Sequence, residues 1–170
     1  ALDILPVKKT QFKDLLDYTK RAIKDLDPAH RHYFYITGHS LGGGLAKVVG
    51  ALLGIHAITF SSPGLQATKE MLNPRPGYQE LQHGTVTVIA DNDVVPMVDW
   101  QHGTLLHIDC PFAQPMECHG LAFTTCELLA SCGDGGGHSI PRRYVKTCEE
   151  CALSGQSSDE KNAACHEKKA

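Results

Sequence analysis

The chain has 170 residues, 42% hydrophobic and 21% charged, with a net charge of −3 at neutral pH. That balance belongs to one globular domain; it excludes wholesale disorder, and no apolar run approaches the roughly 18 residues of a membrane-spanning helix. There is no basic surplus to attract nucleic acid, and the ten histidines add positive charge only below neutral pH.

Residues 8–26 carry Phe12, Leu15, Leu16, Ile23 and Leu26 at near-helical spacing between Lys and Asp, which predicts an amphipathic helix stopped by Asp27-Pro28. The aromatic and β-branched run 33–37 reads as a buried strand, followed by a glycine-rich turn from Gly38 to Gly44 and a small-residue helix over 43–53 that ends at Gly54. A second strand is expected over 57–61, closed by Pro63-Gly64, then a short helix over 66–72 and a loop over 73–77. TVTVIA at 85–90 and residues 104–109 give a third and a fourth strand. A helix is expected over 119–131, then a glycine-rich stretch, with 154–170 a polar, disordered tail. Alternating strands and helices with continuous apolar strands predict an α/β fold with a mostly parallel sheet.

The strongest motif is Gly38-His39-Ser40-Leu41-Gly42, a G-x-S-x-G between a predicted strand and a predicted helix. That context marks a nucleophile elbow, in which a strained serine stands on a turn so tight that its neighbours two positions away must be small. Gly38 and Gly42 meet this demand, and Gly43 and Gly44 let the helix start approach the strand. The helix N-terminus offers backbone N–H groups to a developing oxyanion, Leu41 N–H first among them. A serine hydroxyl needs a base oriented by a carboxylate, and on this scaffold the chain order is serine, acid, histidine. Asp91 and Asp93 directly follow the third strand and both qualify as the acid. Among the later histidines, His107 lies within a strand, His102 stands too close to its strand start and His166 is in the tail. His119, after the last strand and at a helix start, is favoured by topology, with His138 behind the Gly135–Gly137 run as its rival.

All seven cysteines lie at or beyond Cys110, a clustering that suggests disulfides around C-terminal loops and an oxidising compartment, secreted or lumenal. Cys148, Cys151, Cys165 and His166 form a weaker, zinc-like pattern whose spacing fits no common finger. The chain opens at Ala1 with no visible targeting segment, which suggests a processed terminus or a part of a longer protein.

YFYITGHSLGGGLAKVVGALLG resembles the nucleophile region of the fungal-type (class 3) lipases, with His39 before the serine and Leu41-Gly42-Gly43 after it. ITFSSPG at 58–64 resembles the strand that follows in that family, and DNDVVPM at 91–97 resembles its Asn-Asp-x-Val-Pro acid motif, a match that selects Asp93. ECHGLAFTTCELLASCGD resembles a Cys-His segment of some protist and algal members and favours His119, whereas TFSSPG is shared with an autophagic lipase branch whose later histidine favours His138. The resemblance implies a partial α/β-hydrolase fold over 1–132, with a cysteine-containing, partly disordered extension over 133–170. It implies hydrolysis of lipid esters, glyceride or phospholipid, at a membrane or droplet surface. The triad would be Ser40, Asp93 and His119, with no metal or organic cofactor. Residues 1–32 do not resemble the family's earlier strands, second oxyanion loop and lid, so the chain reads as the C-terminal part of a larger hydrolase. Two other functions compete: a catalytically incomplete module on a hydrolase scaffold that binds lipid or a partner, and an independent disulfide or zinc module over 110–165.

Overall fold

The computed structural model describes residues 9–26, 33–141, 143, 145 and 148. They form two compact units, one made of residues up to Ile89 together with Asp93–His107, the other of Ala90–Asn92 and the residues from Ile108 onward. The boundary expected at residue 132 falls inside the second unit, one residue after its longer helix.

The first unit opens with α1 (Lys9–Lys24), whose Phe12 and Leu16 are buried while intervening charged residues face solvent. Next come β1 (Tyr35–His39), α2 (Ser40–Leu53), β2 (His56–Phe60), α3 (Tyr78–Gly84), β3 (Thr85–Ala90) and β4 (Thr104–Ile108). The four strands lie in chain order in one parallel sheet, the β1–β2 pairing running from Tyr35–His56 to His39–Phe60. The α2 helix covers one face of β1 and β2. A Cβ built on its Gly50 would meet Ile36 Cγ2 at 3.2 Å and Ala57 Cβ at 3.4 Å, so only a bare backbone allows this approach. The opposite face carries exposed Tyr35, Thr37, His56 and Ile58. Phe12, Leu16, Val48, Val49, Leu65 and Leu81 form the core between α1, α2 and α3. The left-handed Gly54 (φ 67°) terminates α2, and its amide donates to Gly50 O.

The second unit carries α4 (Pro115–Cys118) and α5 (Leu121–Ser131), with Phe123 wholly buried and packed edge-on against Phe112 at 5.2 Å. Disulfides join Cys110 to Cys118 and Cys126 to Cys148, as the cysteine clustering suggested, and Cys132 is a free, exposed thiol. The Cys126 bond removes Cys148 from any thiolate zinc site, and Cys151, Cys165 and His166 lie outside the described residues, as does the expected 154–170 tail.

Several element limits differ from expectation. The α2 helix begins at Ser40, not at residue 43, so the glycine-rich segment is helix almost from its start. Only a 3₁₀ turn, Thr68–Met71, forms within 66–72, and α3 arises where no helix was expected. The helix predicted over 119–131 begins at Leu121, with α4 as a separate short turn before it.

Candidate active site

The site starts at the junction of β1 and α2. Ser40 has φ 54°, a left-handed conformation that costs a residue with a Cβ of order 1–3 kcal/mol. The strand is still extended at His39 (φ −113°, ψ 146°), and the helix follows at once, so the whole reversal is absorbed at Ser40. Gly38 makes that possible: any Cβ there would collide with Gly42 O and lie 2.5 Å from Gly42 C. Gly43 is equally constrained, with Ser62 Cβ at 2.6 Å and Gly38 O at 2.9 Å from an added Cβ. Gly42 differs from the expectation, because a Cβ there would meet nothing within 4 Å. The crowding of the elbow therefore falls on Gly38 and Gly43, while at Gly42 it involves only the backbone. No side chain of His39 caps α2, and its N-terminal amides, Leu41 N–H included, belong to a 14-residue helix whose dipole favours negative charge there.

The parallel strand beside β1 ends in the same backbone state. Ser61 follows β2 with φ 48°, its amide donates to Val88 O at 2.8 Å, and its buried hydroxyl has no hydrogen-bond partner. Thr59 Oγ1 shares hydrogen bonds with Ser62 Oγ (2.9 Å) and Thr87 Oγ1 (3.1 Å), so the polar groups between β2 and β3 satisfy one another. Past β3, Asn92 takes φ 66° and Asp93 is completely buried, its Oδ1 accepting the Val95 amide at 2.9 Å. Asp91 is exposed, so of the two carboxylates only Asp93 is shielded from water.

Two residues absent from the sequence reading tie these turns together. Lys47, on α2, is 1% exposed and donates to Pro63 O (3.1 Å) and Gln101 Oε1 (2.6 Å). Gln101 Nε2 in turn donates to Ser62 O (2.9 Å) and Pro96 O (2.8 Å). Burial lowers the Lys47 pKa to about 7. The only sequence signal was a lone cation inside an otherwise apolar helix, which reads as readily as a solvated position.

The histidines of the second unit differ in setting. His119 is the half-buried residue that closes α4, next to disulfide-bonded Cys118 and one residue before Gly120, the N-cap of α5. His138 lies on an exposed turn and its Nδ1 stands 3.1 Å from Asp134 Oδ1, which also accepts the Gly136 and His138 amides at 2.8 Å. The His138 amide, with the Gly136 amide and the His138 ring, holds the Asp134 carboxyl below the usual range. In the first unit His107 is an exposed residue of β4, while His102 is buried with neither ring nitrogen hydrogen-bonded. Among the described residues no three His, Cys, Asp or Glu side chains converge as a metal site.

A cavity of about 770 Å³ lies within the first unit, lined mainly by apolar side chains. Its walls include Phe12 and Leu16 of α1, Leu45 of α2, Leu65 and Met71, and also Leu41, the residue after Ser40.

The profile of the phospholipase-like, Tle-like phospholipase domain family matches residues 7–96, more than half of the chain. The chain belongs to this family. The matched span runs from α1 through β3 to Pro96 and so contains Ser40, Lys47 and Asp93. Proteins named "Putative lipase ATG15" are also similar to it. The one from Meyerozyma guilliermondii is 31% identical over 71 residues, covering 41% of this chain and 12% of that protein. The Candida albicans protein is 39% identical over 57 residues (33% and 10%), and the Kluyveromyces lactis protein 49% identical over 51 (27% and 10%). The chain spans about a tenth of the length of these curated relatives. The resemblance to lipases read from the motifs thus holds at the level of a phospholipase-like domain.

Proposed function

We propose that this Tle-like phospholipase domain is the nucleophile-bearing part of a serine hydrolase that cleaves the carboxylic ester bonds of lipids. One observation carries the reading: Ser40 holds a left-handed backbone at a strand-to-helix junction where Gly38 admits no side chain. Strain of that kind persists where it aims a nucleophile out of a tight turn above the sheet. Ser40 Oγ attacks the ester carbonyl and passes its proton to the imidazole of His119. Asp93 orients that imidazole and stabilises its cation; Leu41 N–H helps to bind the oxyanion, and water then releases the acid from the acyl-enzyme. Burial of Asp93 supports its choice over Asp91. His138 is the less favoured candidate, since its Nδ1 is already engaged by Asp134 whereas a triad histidine offers that nitrogen to the triad acid. The apolar cavity at Leu41 suits the acyl chain of the substrate. The disulfides are compatible with a lumenal or extracellular site of action.

The test is covalent labelling of the intact protein by a fluorophosphonate, alongside release of fatty acid from phospholipid and triacylglycerol vesicles. Ser40→Ala is expected to abolish both signals. Asp93→Asn and His119→Ala should each lower turnover about 10³-fold or more, and His138→Ala should leave it within twofold. Equal labelling of wild type and Ser40→Ala would overturn the assignment, and lipid binding without release would indicate a non-catalytic module.

A further inference from the structure

We propose that Lys47 and Gln101 are positioning residues that hold the turn carrying Asp93, and the segment after β2, in fixed register with the Ser40 elbow; this rests on the hydrolase reading above. Lys47 belongs to the same helix as Ser40, seven positions on, so about 10 Å of rigid α2 separates the two. A lysine 1% exposed within a helix of Gly, Ala, Val and Leu is an expensive choice if packing alone matters, because an apolar side chain of similar length would fill the space without desolvating an amine. The depressed pKa of Lys47 reflects that same burial.

What the amine provides is connection. Its Nζ reaches Pro63 O and Gln101 Oε1, and the Gln101 amide uses both of its hydrogens, one on Ser62 O and one on Pro96 O. Pro96 lies in the 3₁₀ turn Val95–Met97, and the Val95 amide of that turn is the donor to Asp93 Oδ1. An unbroken path of hydrogen bonds therefore runs from the nucleophile helix through Lys47 and Gln101 to the turn that holds the carboxylate. A branch of it fixes Ser62 and Pro63, beside strained Ser61. Residues 47 and 101 stand 54 positions apart in the chain, so the path ties together segments that local structure does not. Neither residue needs to touch substrate. Displacing the carboxylate by about 1 Å is enough to reduce turnover on the order of 10²-fold.

The experiment compares Lys47→Met, Gln101→Leu, Gln101→Glu and the double variant Lys47→Met/Gln101→Leu of the intact protein, using a water-soluble short-chain p-nitrophenyl ester. Lys47→Met keeps the length of the side chain; Gln101→Glu keeps an acceptor for Lys47 but removes both donors to Ser62 O and Pro96 O. Each single variant is expected to lower kcat about 10- to 100-fold with KM within about twofold, the double variant being no worse than the poorer single one, because the pair acts as a unit. A kcat within twofold of wild type, a change confined to KM, or additive losses would each overturn the proposal. If ester turnover proves insensitive to Ser40→Ala, the hydrolase reading itself has failed, and amide exchange decides. Faster exchange of the Val95 and Met97 amides in both Lys47→Met and Gln101→Leu would sustain the tie between helix and acid turn, and unchanged exchange would overturn it.

Discussion

At the scale of single residues, the elbow separates two glycines that its motif treats alike. Gly38 and Gly42 are both fixed letters of G-x-S-x-G, yet a Cβ on Gly38 runs into Gly42 O whereas one on Gly42 enters open space. Backbone cannot step aside as a flexible side-chain end can, so Gly38→Ala must distort β1, α2 or the φ of Ser40 between them. We expect it to cost about 3 kcal/mol, at the upper end of overpacking effects, and to abolish fluorophosphonate labelling. Gly42→Ala lies within α2, where alanine is the better helix former by up to about 1 kcal/mol, and stability should be unchanged or slightly raised. Urea unfolding of the two variants checks this contrast, and equal destabilisation would show that crowding at the elbow is not governed by Cβ space. Ser61 illustrates a different residue-scale property. Its left-handed backbone and unpartnered buried hydroxyl lie beside the Ser40 turn, and no sequence pattern pointed to either.

At the scale of elements, the sequence carried the strand positions well, because short apolar and β-branched runs mark strands, and all four occur within two residues of their expected positions. But β3 alone is buried along most of its length, and β1, expected to be buried, is only half-buried because one face carries no helix. The sequence carried the strained turn at Ser40 for a related reason, since that turn is local and its steric demands fall on Gly38 and Gly43, within six consecutive residues. The α2 start was displaced because four glycines near it lower helix propensity, and tertiary contact of Gly43 with Ser62 and Gly38 overrides that preference. The α3 helix was invisible because seven residues with Leu81 as the one buried apolar side chain cannot display a helical period. Lys47 and Gln101 were invisible for the opposite reason, since their hydrogen bonds exist only once α2, the Asp93 turn and the approach to β4 meet. That approach has its own test. Before β4, the His102 carbonyl accepts Thr85 Oγ1 at 3.0 Å, and the His102 ring packs edge-on to Tyr78 at 5.3 Å. Burial, reinforced by Lys69 and Lys47 and opposed by Asp99, lowers the His102 pKa from 6.5. As pH falls below about 6.5 the unfolded chain binds this proton before the folded one does, so the stability associated with neutral His102 is present above that pH and declines beneath it. The urea midpoint of wild type should therefore drop between pH 7.5 and 5 by more than that of His102→Phe, which fills the site without titrating. Parallel declines would assign the acid sensitivity to other groups.

At the scale of the whole molecule, the two units draw on different sources of stability. Among the described residues, the first has a sheet, three helices and an apolar cluster running from Phe12 to Leu81, and no disulfide. Among the described residues, the second has α4 of four residues and α5 of eleven, with Phe123, Cys118, Cys126 and Ile108 among its few buried apolar side chains. Where the described residues bury so little apolar surface, covalent links limit the unfolded ensemble. The Cys110–Cys118 and Cys126–Cys148 bonds close spans of 8 and 22 residues. Closing loops of such size stabilises by about 3 kcal/mol apiece in the chain-entropy account, which corresponds to on the order of 10²-fold in local opening. Reduction should therefore act unevenly across the chain. Hydrogen exchange of the intact protein, with and without reductant, is expected to accelerate on the order of 10²-fold at Phe123 to Leu129 while Val48, Ala57 and Val88 keep their protection. The same treatment should lower ester turnover under the proposed mechanism, because His119 stands directly after Cys118, whose bond to Cys110 would be cut. Uniform acceleration in both units would mean that they unfold together, and unchanged exchange at α5 would mean that the packing of Phe123 against Phe112 holds the second unit without its disulfides.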